Sequence, residues 1–230
     1  MMYQNGANLV SPTGSEAEQT LQFYRKFATP GDPLYTWDET MDNAIYAFAT
    51  GRVAMILAPS WRAFSIKEIN PNIQFGIAPF PQLSGVPVSW ASYWVEGVSS
   101  QSKNKAAAWE FVKYLTSKEG ATLLYSSAQQ SRQLFGEPYA RRDMGDSIKS
   151  DPYIGAFVTM AANAKSFPLA SRTFDGDTGI NTRMIKYLEN AVNAMVKGSS
   201  ASQELTTLSK GFTEVLTSIG LIRSAPQTSQ

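Results

Sequence analysis

The sequence contains no cysteine and no histidine. The first absence excludes disulfides, thiol nucleophiles and zinc-thiolate sites; the second removes the commonest general base and the commonest metal ligand. Neither a metal site nor a cofactor is expected. Charge is scarce and balanced, with 17% charged residues and a formal net charge of +1. No basic run exceeds a pair such as Arg141-Arg142, so nothing points to nucleic acid or an anionic membrane as partner. No apolar run approaches the roughly 20 residues a membrane helix needs. The opening Met1-Met2-Tyr3-Gln4-Asn5-Gly6 lacks both the basic end and the apolar core of a signal segment.

What is present is an ordinary globular composition with abundant aromatic surface. The 230 residues are 43% hydrophobic, enough for one large or two small domains around a substantial core. Aromatic residues make up 12% of the chain and include five tryptophans.

The stretch that organises the rest is Gly51 to Arg62. An amphipathic run after Asp38, with Met41, Ala44, Ile45 and Phe48 at helical spacing, reads as a helix, and Gly51 stands where a left-handed helix-ending residue is wanted. Val53 to Leu57 reads as a buried strand. Ala58-Pro59-Ser60 stops it, and Ser60 is placed to cap a helix beginning at Trp61. An indole is thereby presented at the carboxyl end of a strand, where ligands sit in open α/β sheets.

Further helices are expected from Ser15 to Ala28, opened by the capping box Ser15-Glu16-Ala17-Glu18; from Lys103 to Leu115; and from a second capping box at Thr116 to Glu119. Asp151-Pro152 reads as a helix start. Two helices close the chain, one carrying Met184, Tyr187, Leu188, Ala191 and Met195 and ending at Gly198, the other capped at Ser200 and carrying Leu205, Leu208, Phe212, Val215 and Ile219. Ile73 to Ile77 reads as a second strand, followed by an extended passage forced by Pro79, Pro81 and Pro87. Between Val88 and Ser99, strand alternation puts Trp90, Ser92, Trp94 and Glu96 on one face and Tyr93 on the other.

Several of these segments resemble the sugar-binding branch of the extracellular solute-binding proteins, the receptors that deliver solutes to ABC importers. The family's G-(K/E)-x-A-M-x-(I/L)-x-G-x-W segment is matched by Gly51, Ala54, Met55, Leu57 and Trp61, with Ala58 and Pro59 departing from the usual glycine. Its G-G-W-x-x-x-(I/V)-S segment is matched by Trp94, Val98 and Ser99, with Ser92 and Tyr93 in place of the glycines. The helix-packing pattern A-x-(E/K)-F-x-x-(Y/F)-L-T-S-x-E-G fits Ala108 to Gly120, and Gly136 to Asp143 resembles the family's turn rich in glycine, proline, arginine and aspartate.

The resemblance implies an α/β fold of periplasmic-binding-protein type, two-lobed and hinge-connected, here incomplete and with a helix-rich carboxyl-terminal lobe. Residues 1–80 and 141–230 would belong to that lobe, and 81–140 to the hinge crossing and the other lobe. Family members are about twice this size and carry a signal, so the chain is expected to be a fragment, with the apolar face Ala108, Phe111, Val112 and Leu115 of the helix from Lys103 to Leu115 uncovered. The implied partners are a small solute, a mono- or oligosaccharide, and ABC permease subunits. The complete protein is expected to be a monomer in the periplasm or outside the cell, associated with the membrane.

Ligand contacts follow from the same likeness and from aromatic chemistry. Trp61, Trp90, Tyr93 and Trp94 offer ring faces for a pyranose, while Arg62, Ser92 and Glu96, with Arg172, Asp175 and Asp177 of the loop 167–181, are candidates for its hydroxyls. Each aromatic has an ordinary alternative as a packing residue, and each charge as a surface group. A glycosidase-like enzyme using Asp175 and Asp177 is the competing class, because hydrolysis needs two carboxyls roughly 5 to 9 Å apart; Asp-Gly-Asp is equally ordinary turn chemistry. A non-catalytic interaction module is the third reading.

Overall fold

The computed structural model describes residues 1–38, 40–83, 87–132, 135–170 and 174–222. In chain order it holds α1 (Ser15–Lys26), α2 (Ala44–Ala49), α3 (Arg62–Ile69), β1 (Ser89–Trp90), α4 (Lys105–Leu115), α5 (Lys118–Ser131), α6 (Gly155–Met160), β2 (Ala164–Lys165), α7 (Ile180–Val196) and α8 (Ala201–Ser218). Short 3-10 turns fill several connections. The chain divides into two compact units: Met1–Met41 with Gln82–Ser92 and Lys165–Gln230, and Asp42–Pro81 with Tyr93–Ala164.

The first unit is built on α1, α7 and α8. Residues spaced by three, four and seven on each helix share one face, and those faces close on each other: Ala17 and Leu21 from α1, Met184, Ala191 and Met195 from α7, and Leu205, Leu208, Phe212 and Val215 from α8. Burying each large apolar side chain is worth about 1.5–3 kcal/mol. Ser200 caps α8, its hydroxyl oxygen accepting from the Gln203 N–H at 3.3 Å. Gly198 at φ +108° ends α7, with the Ser199 N–H donating to the Ala194 carbonyl. Arg25 Nη1 donates to the Met195 carbonyl at 3.1 Å, tying α1 to the last turn of α7, where a cation is favoured. β1 and β2 form a two-stranded sheet, extended by the Ala91 N–H donating to the Lys165 carbonyl. Its Trp90 ring stands 5.7 Å from Tyr3 and 6.5 Å from Phe167, which in turn meets Phe212 of the helical core.

In the second unit α2 and α3 pack together. Asn43 caps α2 by accepting from the Ile45 N–H at 2.9 Å. At the other end the Arg52 N–H reaches the Ala47 carbonyl and the Gly51 N–H the Phe48 carbonyl, with Gly51 at φ +75°; this is the Schellman closure, for which a residue without Cβ is suited. Asn70 Nδ2 donates to the Ala49 carbonyl at 2.9 Å. A chain of ring contacts, Phe48 to Phe75 to Tyr153 to Phe64, joins this pair to the segment before α6, and Ile154 beside it is fully buried. α4 and α5 form a hairpin, with the Ser117 hydroxyl accepting from the Gly120 N–H at 3.0 Å. Arg141 holds the hairpin turn through the Thr116 carbonyl and makes two bonds to Asp143. α4 has no buried residue, and Phe111 is 60% exposed.

The structure corrects several expectations. Val53–Leu57 is not a strand: Met55 and Leu57 are 87% and 69% exposed. An apolar run becomes a strand only where a neighbour pairs its N–H and C=O groups, and no described segment pairs with this one. Ile73–Ile77 is likewise irregular, and Phe75 is held by ring contacts instead of a ladder. Of the expected strand 88–99, only Ser89–Trp90 forms, opposite a β2 that has no strand pattern of its own. The helix expected after Asp38 begins instead at Ala44, since the Asp38 carboxylate accepts from Thr40 N, Thr40 Oγ1 and the Tyr35 hydroxyl and so closes a turn. Ser60 does not cap α3; Trp61 occupies that position, and the Pro59 and Ser60 carbonyls accept from Arg62 and Ala63. Gly14, at φ +98°, and not Ser15 precedes α1. Asp151 caps a turn through Tyr153 and Ile154, and α6 starts only at Gly155.

Candidate functional site

One face of α3 looks into an open cleft. Ala63 and Ile66 turn to the core, which puts Trp61, Phe64, Ser65 and Glu68 on the other side, the i, i+3, i+4, i+7 set of one helical face. They line a cleft of about 360 Å³ together with Arg132, Phe135, Gly136 and Glu137 from the segment after α5. Aromatic packing holds Phe135 and Tyr139: Tyr125 of α5 lies 5.4 Å from the first and 4.5 Å from the second. The Arg132 guanidinium stands 5.6 Å from the Phe135 ring centre, a cation–π distance. Gly136 approaches Phe64 closely, since a Cβ there would lie 2.9 Å from Phe64 Cζ and would displace the ring. The cleft therefore has an indole and two phenyl rings for an apolar ligand face, and two carboxylates with one guanidinium for polar groups.

The sequence candidates fall in different places. Trp61, 42% exposed, lines the cleft. Arg62, Tyr93, Trp94 and Glu96 belong to the same unit but do not line it, and Trp94 is 90% exposed. Trp90 and Ser92 belong to the first unit, where the Trp90 ring packs between Tyr3 and Phe167. Arg172 lies outside the described residues. Asp175 opens α7: its carboxylate accepts from the Asn181 N–H at 2.8 Å and from the Thr182 N–H and hydroxyl. Those bonds, the Asn181 amide first, hold its carboxyl below the usual range. Asp177 is exposed on the same loop. Reasoning from sequence missed Phe64, Glu68, Arg132, Phe135 and Glu137. For the first two the signal was there, in their helical spacing from Trp61; for the others it was not, because only the fold of the loop after α5 brings them to α3.

The structure is helix-rich with one small sheet among the described residues. The family model described as bacterial extracellular solute-binding protein matches residues 1–132. The chain belongs to that family. Membership fits a periplasmic-binding-protein fold and carries with it a small-molecule solute, an ABC transporter as partner and a periplasmic or extracellular place of action. Proteins of this family are in general not enzymes. No helix among the described residues is long and apolar enough to cross a membrane.

Proposed function

We propose that this solute-binding protein receives a carbohydrate and that Trp61 carries the contact. The observation behind this reading is the placement of the Trp61 indole in a cleft with Phe64 and Phe135, beside Glu68, Arg132 and Glu137. A pyranose has one C–H-rich face and a rim of hydroxyls; aromatic rings take the first, and charged groups that accept or donate take the second. The volume lies near the lower end of small-molecule sites, about 300–1,000 Å³, which suits a mono- or disaccharide better than a long chain. The bound solute passes to the permease subunits of an ABC importer.

The test is ligand-observed saturation-transfer NMR with glucose, maltose and raffinose, followed by calorimetry on whichever sugar binds. Transfer to sugar C–H protons that disappears in Trp61→Ala is the expected result. Absence of transfer from all three sugars, with a clear signal from a free amino acid or a peptide, would overturn the carbohydrate assignment.

A further inference from the structure

We infer that Glu68, Arg132 and Glu137 select the solute, and that they select a neutral polyhydroxylated molecule over an anion; this rests on the carbohydrate reading of the Trp61 cleft. None of the three is among the residues that the family resemblance points to. They come from two separate segments that meet only in the fold. Glu68 stands two turns along α3 from Trp61, with Phe64 and Ser65 between them on the same face. Arg132 and Glu137 line the same cleft together with Phe135 and Gly136, and Phe135 is held by its ring contact with Tyr125.

Their chemistry is complementary. A carboxylate only accepts hydrogen bonds and a guanidinium only donates them. The ion pairs among the described residues are Arg52–Asp42, Lys113–Glu110 and Arg141–Asp143, so none of them takes up a charge of the cleft. A ligand that suits the cleft has to donate to two carboxylates, accept from one guanidinium and lay an apolar face on the rings. A hydroxyl donates and accepts, so a vicinal polyol does all of this without bringing charge. An anion such as a sugar phosphate meets two carboxylates for one guanidinium and is disfavoured. Glu68, Arg132 and Glu137 are exposed to water, so a ligand that displaces that water has to return a hydrogen bond to each charge.

The experiment compares glucose, maltose, glucose 6-phosphate and free phenylalanine as probes of the 230-residue chain, with the parent and the variants Glu68→Gln, Glu137→Gln, Arg132→Gln and Trp61→Ala. Circular-dichroism melting of each variant checks that it folds as the parent does. The neutral sugars are expected to bind and glucose 6-phosphate to bind more weakly, with each polar variant losing about tenfold in affinity, the size of one charged hydrogen bond. Arg132→Gln should also widen the preference for glucose over glucose 6-phosphate. If Trp61→Ala abolishes sugar binding while the three polar variants bind like the parent, the selector role is overturned and the carbohydrate reading stands. If glucose 6-phosphate or phenylalanine binds better than the neutral sugars, or no sugar binds, both readings fall.

Discussion

The Tyr187 ring of α7 packs so closely on Gly211 of α8 that a Cβ at position 211 would overlap the ring. Both helices belong to the core of the first unit, and the glycine is what lets them approach. Alanine ordinarily gains about 1 kcal/mol over glycine within a helix. Here Gly211→Ala is expected to destabilise by about 1–3 kcal/mol, because overpacking forces the ring and the helix apart. Urea unfolding measures it. Restoring room with Tyr187→Ala in the Gly211→Ala background should recover part of the loss, and simple additivity of the two changes would refute the steric account.

Trp61→Ala is expected to weaken solute binding by about 1–3 kcal/mol, the cost of removing a central aromatic contact. Trp94→Ala should leave stability within about 0.5 kcal/mol, because this ring is 90% exposed. Calorimetry and thermal melting on the same preparations separate the two effects. Equal binding by Trp61→Ala and the parent would remove the stacking role.

Acid should loosen the start of α7. The bonds from Asn181 and Thr182 hold the Asp175 carboxyl below its ordinary value, so its capping contribution is complete above the unfolded carboxylate range. It is lost as pH falls through the lowered folded value. Asp175→Asn should therefore show a flatter dependence of the urea midpoint on pH across the acid range than the parent. Coincident curves for the two proteins would mean that the cap adds nothing.

Neither Asp175→Asn nor Asp177→Asn should change any turnover of aryl glycosides, since one carboxylate is occupied at a helix start and paired acid–base work needs both free to act on one bond. Chromogenic glycosides assayed with parent and variants decide it. Hydrolysis by the parent that vanishes in the variants would establish the enzyme reading.

The α4–α5 hairpin exposes Trp109, Phe111, Tyr114, Leu123 and Leu124. Apolar side chains gathered in this way favour association. Sedimentation velocity of the chain by itself should show mass rising with concentration, and Phe111→Lys with Leu123→Lys should suppress the rise. A monodisperse parent at high concentration would show that this surface is tolerated as it stands.

Much of this protein was legible in the sequence because it depends on neighbours in the chain. The faces of α7 and α8, the cap at Ser200, and the left-handed Gly51 and Gly198 follow from periodicity and local hydrogen bonding, which operate within a few residues; the cap of α5 falls on Ser117, one residue past the expected Thr116, because Thr116 closes α4. Trp61 was also singled out by its position after a proline turn. The strands were not legible in this way. Val53–Leu57 has the composition of a strand, yet it stays irregular because a strand exists only with a partner, and pairing is not encoded in the run itself. Ala164–Lys165 is the reverse case, with no strand pattern but a partner in Ser89–Trp90. The cleft shows the same division. Helical spacing determines that Trp61, Phe64 and Glu68 share a face, but only tertiary packing, through Tyr125 and the close approach of Gly136 to Phe64, decides that Arg132, Phe135 and Glu137 stand opposite them.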